Sequence, residues 1–206
     1  MQYEIHTRNE AMQGTSQDFF GHWQFDTRHV FAFGDGAGGS IDGLSAAKTF
    51  VANVEECAKD LTLNSNCIRL LKQSDYNIAQ GETTGILLIL ESGEIAGASV
   101  GDSSAKIIHH DSVTDLTAGQ SRKPRLGTGD AEPRSFSGNL ETGLLIISSD
   151  GLWNYVNESR LREAACGIDF PISGRLVTDL VRLNSGALHD DVGIMLIRKR
   201  LPSLPR

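Results

Sequence analysis

Long apolar runs are missing from this chain of 206 residues. Each uninterrupted stretch is of strand length, so none reads as a membrane-spanning helix. Cysteine is scarce: Cys57, Cys67 and Cys166 are too few and too scattered for a disulfide framework or a paired-cysteine metal site. Cys57 and Cys67 fall in helical segments, where the thiol packs as a small apolar group. Positive charge is in deficit, with 19 Lys and Arg against 26 Asp and Glu and a net charge of −7. That balance argues against a nucleic-acid surface, which needs a basic stripe. The opening MQYEIHTRNEAMQG lacks the apolar core of a signal peptide. Together with the odd cysteine count it sets the expectation of a reducing cytoplasm. No repeat, low-complexity block or linker divides the chain, so residues 1–206 read as one domain with a frayed tail at 201–206.

What is present is a series of short apolar runs bounded by Gly, Asp, Ser or Asn. Strands are expected at residues 30–33, 85–90, 94–100, 104–110, 143–149 and 192–199. Only ESG separates the second and third, which predicts an antiparallel hairpin. A reversal at Gly101-Asp102 is expected to extend that meander. Apolar residues at three- and four-residue spacing predict a helix from Leu44 to Ala58 with Asp42 as N-cap, and another over 64–79 ended by Gly81. Weaker helical patterns cover 158–166 and 174–183. Helices therefore come in pairs rather than alternating with strands, which indicates α+β layers. Residues 111–142 show no period and read as a long loop carrying Arg122, Lys123, Arg125 and Arg134.

FGDGAGG contains Gly34, Gly36 and Gly39 in the G-x-G-x-x-G spacing. A dinucleotide site requires a following strand with an acid about 20 residues on. The acids at that distance, Glu55 and Glu56, fall inside a helix, and Asp35 in the turn would repel a pyrophosphate. The loop fits a cation better. Glycine on either side of Asp35 allows a sharp turn and brings a main-chain carbonyl close to a metal; taken alone, the loop equally fits a tight turn around a solvated aspartate.

Other aspartates share the pattern. Asp150 follows the apolar run in LLIISSDGLW, Asp102 follows ASVG, and Asp190 and Asp191 precede VGIMLI. Each is tied to a sheet-forming run, and carboxylates converging at sheet ends repel one another unless cations neutralise them. Hard oxygen donors without paired His or Cys select Mg²⁺ or Mn²⁺ rather than zinc. Singly, each reads as a turn residue; as a set, they read as a metal site. His109 and His110, adjacent on a strand, point to opposite faces and form no ligand pair. His189 and Trp153 read as a turn residue and a packing residue.

Six short motifs in order, SQDFF, FGDGAGG, TTGILLIL, VGDSSAKI, SSDGLW and HDDVGIMLI, resemble the metal-dependent protein phosphatases of the protein phosphatase 2C family over residues 15–198. The resemblance implies a four-layer α-β-β-α sandwich, two antiparallel sheets flanked by helix pairs, with two Mn²⁺ or Mg²⁺ ions between the sheets and a third in some members. It implies that Asp35 bridges the ions, that the Gly36 carbonyl contacts one, and that Asp150 and Asp190 complete the other's shell. Asp18 would orient water, Asp102 would hold the third ion, and Asp191 would orient rather than bind. The implied reaction is hydrolysis of phosphoserine or phosphothreonine in a protein, opposing a kinase, by water shared between ions about 3.5–4 Å apart. A monomer is the default.

The departures are specific. Gln13 stands where the family has a phosphate-gripping arginine, with Arg8 or the 122–134 cluster as possible substitutes. Ala37 replaces a histidine of some relatives, and Ser104 an arginine. The segment between Asp102 and Asp150 is short for a flap. Two rivals follow, an inactive pseudophosphatase acting as a binding or regulatory module, and a hydrolase of small phosphoesters.

Overall fold

The computed structural model describes residues 2–37, 41–165 and 170–200. Gly39, Cys166 and the tail 201–206, each given a reading above, lie outside the described residues. In chain order the strands are β1 (Tyr3–Glu10), β2 (Asp18–Phe25), β3 (Arg28–Ala37), β4 (Glu82–Thr83), β5 (Gly85–Glu91), β6 (Glu94–Val100), β7 (Ser104–Ile108), β8 (Val113–Asp115), β9 (Arg134–Asn139), β10 (Leu144–Ser148) and β11 (Val192–Lys199). The helices are α1 (Ile41–Cys57), α2 (Cys67–Asn77), α3 (Asp150–Trp153), α4 (Glu158–Ala165) and α5 (Phe170–Asp179). One sheet runs β1-β11-β10-β7-β8 and the other β2-β3-β5-β6-β9, with β4 paired to β3; every pairing is antiparallel.

The central strands are apolar on both sides because both sides are covered. On β5, Leu87 and Ile89 face the core with α1 and α2, while Ile86, Leu88 and Leu90 face the core between the sheets. On β11, Met195 and Ile197 join that middle core, and Ile194 and Leu196 pack with residues of α3, α4 and α5. Alternation of side chains along a strand thus generates three apolar layers and the four-layer α-β-β-α sandwich. Among the described residues no helix is long and apolar enough to cross a membrane.

The β5–β6 hairpin is as expected, but the reversal after it is not. At Gly101-Asp102 the chain leaves the β6 sheet and enters β7 of the other. Asp102 therefore sits at a crossing between layers. Residues 111–142 hold two strands, β8 and β9, rather than a continuous loop. β7 ends at Ile108, so His109 and His110 follow the strand instead of lying on it. Asp42 is inside the first turn of α1 rather than capping it. α2 starts from Asn66, whose side chain accepts the Arg69 amide, and ends at Asn77, short of Gly81. α5 begins at Phe170, four residues before the predicted start, and ends at Asp179.

A histidine pair sits where β1 comes near the β2–β3 edge. His22 Nε2 and His29 Nδ1 are 3.0 Å apart. The two rings stack on each other and on Phe31, and Tyr3 from β1 meets His29 edge-on. Burial, then the neighbouring His29, lowers the His22 pKa to about 4. A folded-state pKa below the unfolded value of 6.5 gives stability that is present above pH 6.5 and lost as pH falls toward 4. Asp18 acts oppositely over this range, its pKa being raised by burial to about 7. The comparison is therefore between variants: relative to the parent chain, His22→Phe is expected to gain stability progressively from pH 6.5 to 4. Its offset should stay constant above pH 7, read from urea midpoints.

Candidate active site

β2 and β3 place Asp18 directly across from Asp35. Like charges in this register oppose one another, and the surroundings show what holds them. Asp18, 1 % exposed, accepts a hydrogen bond on Oδ2 from Ser149 Oγ at 2.9 Å, while its Oδ1 is buried without a partner. Asp35 is fixed through its backbone. Its N–H donates to Thr84 Oγ1 and its carbonyl accepts from the Thr84 N–H, both at 2.9 Å. Thr84 Oγ1 in turn lies 2.7 Å from Ser103 Oγ, so the Thr-Thr strand and the Asp102 crossing support the same carboxylate.

The glycines flanking Asp35 do not make a turn, since both lie within β3. They permit close packing. A Cβ on Gly36 would lie 2.3 Å from the Gly43 carbonyl carbon of α1, and one on Gly34 would press on Thr83 and Ala47. The glycine after Asp150 has a similar reason, because a Cβ on Gly151 would lie 2.0 Å from the Asp191 carbonyl oxygen.

Asp150 opens α3 where β10 ends, and Asp190 and Asp191 stand just before β11. Asp191 spends its carboxylate on the opening segment, accepting the Met12 N–H at 2.7 Å and the Gln17 N–H at 2.8 Å. Asp190 Oδ1 accepts the Asp191 N–H at 2.9 Å. These elements enclose a cavity of about 410 Å³ lined by Asp35, Gly36, Asp150, Asp190 and Asp191, with Gln13, Ala37, Arg122 and Arg125 among the other wall residues. Asp18 lies behind the wall. Asp102 faces the arginines: Arg122 Nε is 2.6 Å from its Oδ2, and Arg125 Nη2 is 3.5 Å from its Oδ1. Arg122 also reaches to 3.8 Å from Asp150.

The electrostatics follow from this crowding. Burial and then the charges of Asp18, Asp150, Asp102 and Asp190 hold the Asp35 pKa well above the ordinary carboxylate range. Burial, Asp102 and Asp190 raise Asp150, with Arg122 and a hydrogen bond from Asn154 acting the other way. Such a cluster carries mutual repulsion that divalent cations relieve. All its donors are hard oxygens, and the orphaned Asp18 Oδ1 adds an acceptor in need of a donor such as water. The donor set therefore fits Mg²⁺ or Mn²⁺. Among the described residues no three His, Cys, Asp or Glu side chains form a ready-made cage for one ion.

Of the substitutes for Gln13, Arg122 and Arg125 reach the cavity. Arg8 instead pairs with Glu10 and Arg134 donates to the Gly119 carbonyl. His189 stacks on Tyr155 with ring centroids 4.3 Å apart. Trp153 Nε1 donates to the Ser148 and Ser104 carbonyls at 3.2 and 3.3 Å, tying α3 to the strand ends. Sequence reasoning assigned no task to Ser149 or Thr84. The signal available was a hydroxyl residue beside an aspartate at the end of an apolar run.

No family model and no curated protein sequence matches the chain. Solved structures do. The serine/threonine phosphatase Stp1 from Staphylococcus aureus is 16 % identical, with a TM-score of 0.83 over 98 % of this chain and 96 % of that one. The S. agalactiae serine/threonine phosphatase is 18 % identical, with a TM-score of 0.82 over 97 % of this chain and 100 % of that one. RsbX in complex with magnesium is 15 % identical, with a TM-score of 0.72 over 95 % and 93 %. The chain has the fold of these bacterial phosphatases, the one implied by the resemblance to the protein phosphatase 2C family.

Proposed function

We propose that this chain, built on the fold of bacterial serine/threonine phosphatases, is a divalent-metal-dependent phosphatase acting on phosphoserine or phosphothreonine in a protein. The observation that carries the reading is the convergence of Asp35, Asp150 and Asp190 on one cavity wall, with burial and mutual repulsion raising Asp35 and Asp150. Asp35, the Gly36 carbonyl, Asp150 and Asp190 would hold two ions, with Asp102 available to a third. Bound cations supply an acidified water and neutralise the oxygens of a transferring phosphoryl group.

The rest is done by the chain's own residues. Asp18, set behind the wall and held by Ser149, orients water from its free Oδ1. Asp191 anchors residues 12–17 against the cavity through two backbone amides, which fixes the rim over which substrate enters. Among the described residues the wall carries no cysteine or histidine, and water as nucleophile fits that chemistry. The partner is a phosphorylated protein, the product of a kinase, met in the cytoplasm by a monomeric enzyme.

One observation favours a second reading, a module that keeps the fold without turnover: Gln13 stands on the cavity wall where the family's arginine is expected. Phosphate release from a phosphoserine peptide and from p-nitrophenyl phosphate separates the readings. The phosphatase requires Mn²⁺-dependent release, abolished by a chelator and greater on the peptide. Manganese binding without release assigns the chain to the module, and preference for the small ester to a small-molecule hydrolase.

A further inference from the structure

We infer that Arg125, with Arg122 beside it, grips the substrate phosphate in place of the missing arginine, and that Asp75 on α2 is the residue that positions this grip. The inference rests on the phosphatase reading and assigns its anion site.

Arg125 is not placed as a surface charge. Its side chain is 14 % exposed, against 71 % for Arg122, and its Nε is buried without a hydrogen-bond partner. Its ion-pair contact, 3.5 Å to Asp102, is long for a charge-assisted bond, which closes to about 2.7–2.9 Å. A guanidinium enclosed at this cost and left under-used on a cavity wall has donors to spare for an oxyanion. Its planar fork matches phosphate geometry. Arg122, at the open side, reaches both Asp102 and Asp150, so the two cations frame the same end of the cavity.

What presents Arg125 is a short, heavily tied segment. The next residue, Leu126, is fully buried and exchanges two backbone hydrogen bonds of 3.0 Å with Thr83, next to the Thr84 that supports Asp35. Beyond it, Asp75, 3 % exposed, gathers three amides: Oδ1 accepts Gly127 N–H at 2.6 Å and Gly129 N–H at 3.0 Å, and Oδ2 accepts Ala131 N–H at 2.9 Å. Gly127 is at φ +95, and a Cβ there would lie 2.3 Å from the Gly81 carbonyl oxygen, so the segment packs directly against the Gly81 backbone. Three charge-assisted bonds to one buried carboxylate, from a helix on the outer layer, are more than a surface loop needs. They set the height of Arg125 over the cavity.

The test is equilibrium dialysis of inorganic phosphate against the Mg²⁺-loaded chain, alongside KM and kcat on the phosphopeptide. Arg125→Ala is expected to weaken phosphate binding and raise KM by about tenfold or more, the value of a charged hydrogen bond. Arg122→Ala should do less and Arg125→Lys should fall between. Asp75→Asn should raise KM with kcat within about twofold, and adding Gln13→Arg should restore phosphate binding to Arg125→Ala and to Asp75→Asn. Restoration by a charge from another segment is a result that a purely structural role would not give. Should Asp75→Asn fail to fold, Arg125→Lys and the Gln13→Arg rescue carry the test. Phosphate binding unchanged in the Arg122→Ala/Arg125→Ala double variant overturns the inference. Phosphate bound through these arginines with no turnover in the parent chain upholds the grip and rejects the phosphatase.

Discussion

Asparagine at Asp35 is expected to reduce Mn²⁺-dependent phosphate release by on the order of a thousandfold, because removing a single stabiliser of transition-state charge already costs about 10²–10³. The same substitution should make the metal-free chain more stable. Asp35 lies across from Asp18 and in the field of Asp150, Asp102 and Asp190. Its folded-state pKa is held well above the unfolded value of 3.8, so the native state favours the protonated acid. Stability from that preference is complete below the unfolded value and lost as pH rises through the folded one. Asparagine keeps the shape and removes the charge, so its advantage in chelator should be large at pH 7.5 and small at pH 4. Urea midpoints at the two values read the sign, and phosphopeptide turnover reads the activity. A variant that keeps more than a tenth of the parent rate would remove Asp35 from the centre of the mechanism.

Divalent cation should stabilise the chain strongly, and more so as the solution becomes alkaline. At a free concentration near 100 times Kd, binding to the native state alone adds about 2.7 kcal/mol. For a chain of this size that corresponds to a rise in Tm of roughly 5–10 °C. The dependence on pH follows from competition between protons and cations for the same oxygens. Asp18 is raised to about 7, and Asp35 and Asp150 are raised by burial and then by neighbouring carboxylates. The shift with Mn²⁺ should therefore be near its full size at pH 8 and small at pH 5.5. Scanning calorimetry across that range with Mn²⁺, and with chelator as reference, measures it. An equal shift at both ends, or none, rules out these carboxylates as the cation site.

The strands that were legible and those that were not differ in where they sit. Residues 85–90, 143–149 and 192–199 announce themselves because β5, β10 and β11 are interior strands with helices on one side and a sheet on the other, hence apolar throughout. The strands with no clear signal, β1, β2, β8 and β9, are the four edges of the two sheets. β9, RSFSGN, is exposed or half-exposed along its whole length, so its composition reads as loop. The aspartates that meet at the cavity stand out in the sequence because each abuts an apolar run. Asp75 does not, because its three amide donors lie over fifty residues away in a segment without periodicity. The crossing at Gly101-Asp102 is not legible because a tight reversal looks alike in sequence whether the next strand joins the same sheet or the facing one.

β11 runs between β1 and β10, each of which pairs with it along its length. It is also the last of the described strands in chain order, so it can dock only after β1 and β10 are made. Until it does, the earliest and latest earlier strands of that layer have a gap between them, and the opening segment lacks the Asp191 anchor that follows α5. The pocket is therefore completed in one closing event, in which the last described strand docks beside the first.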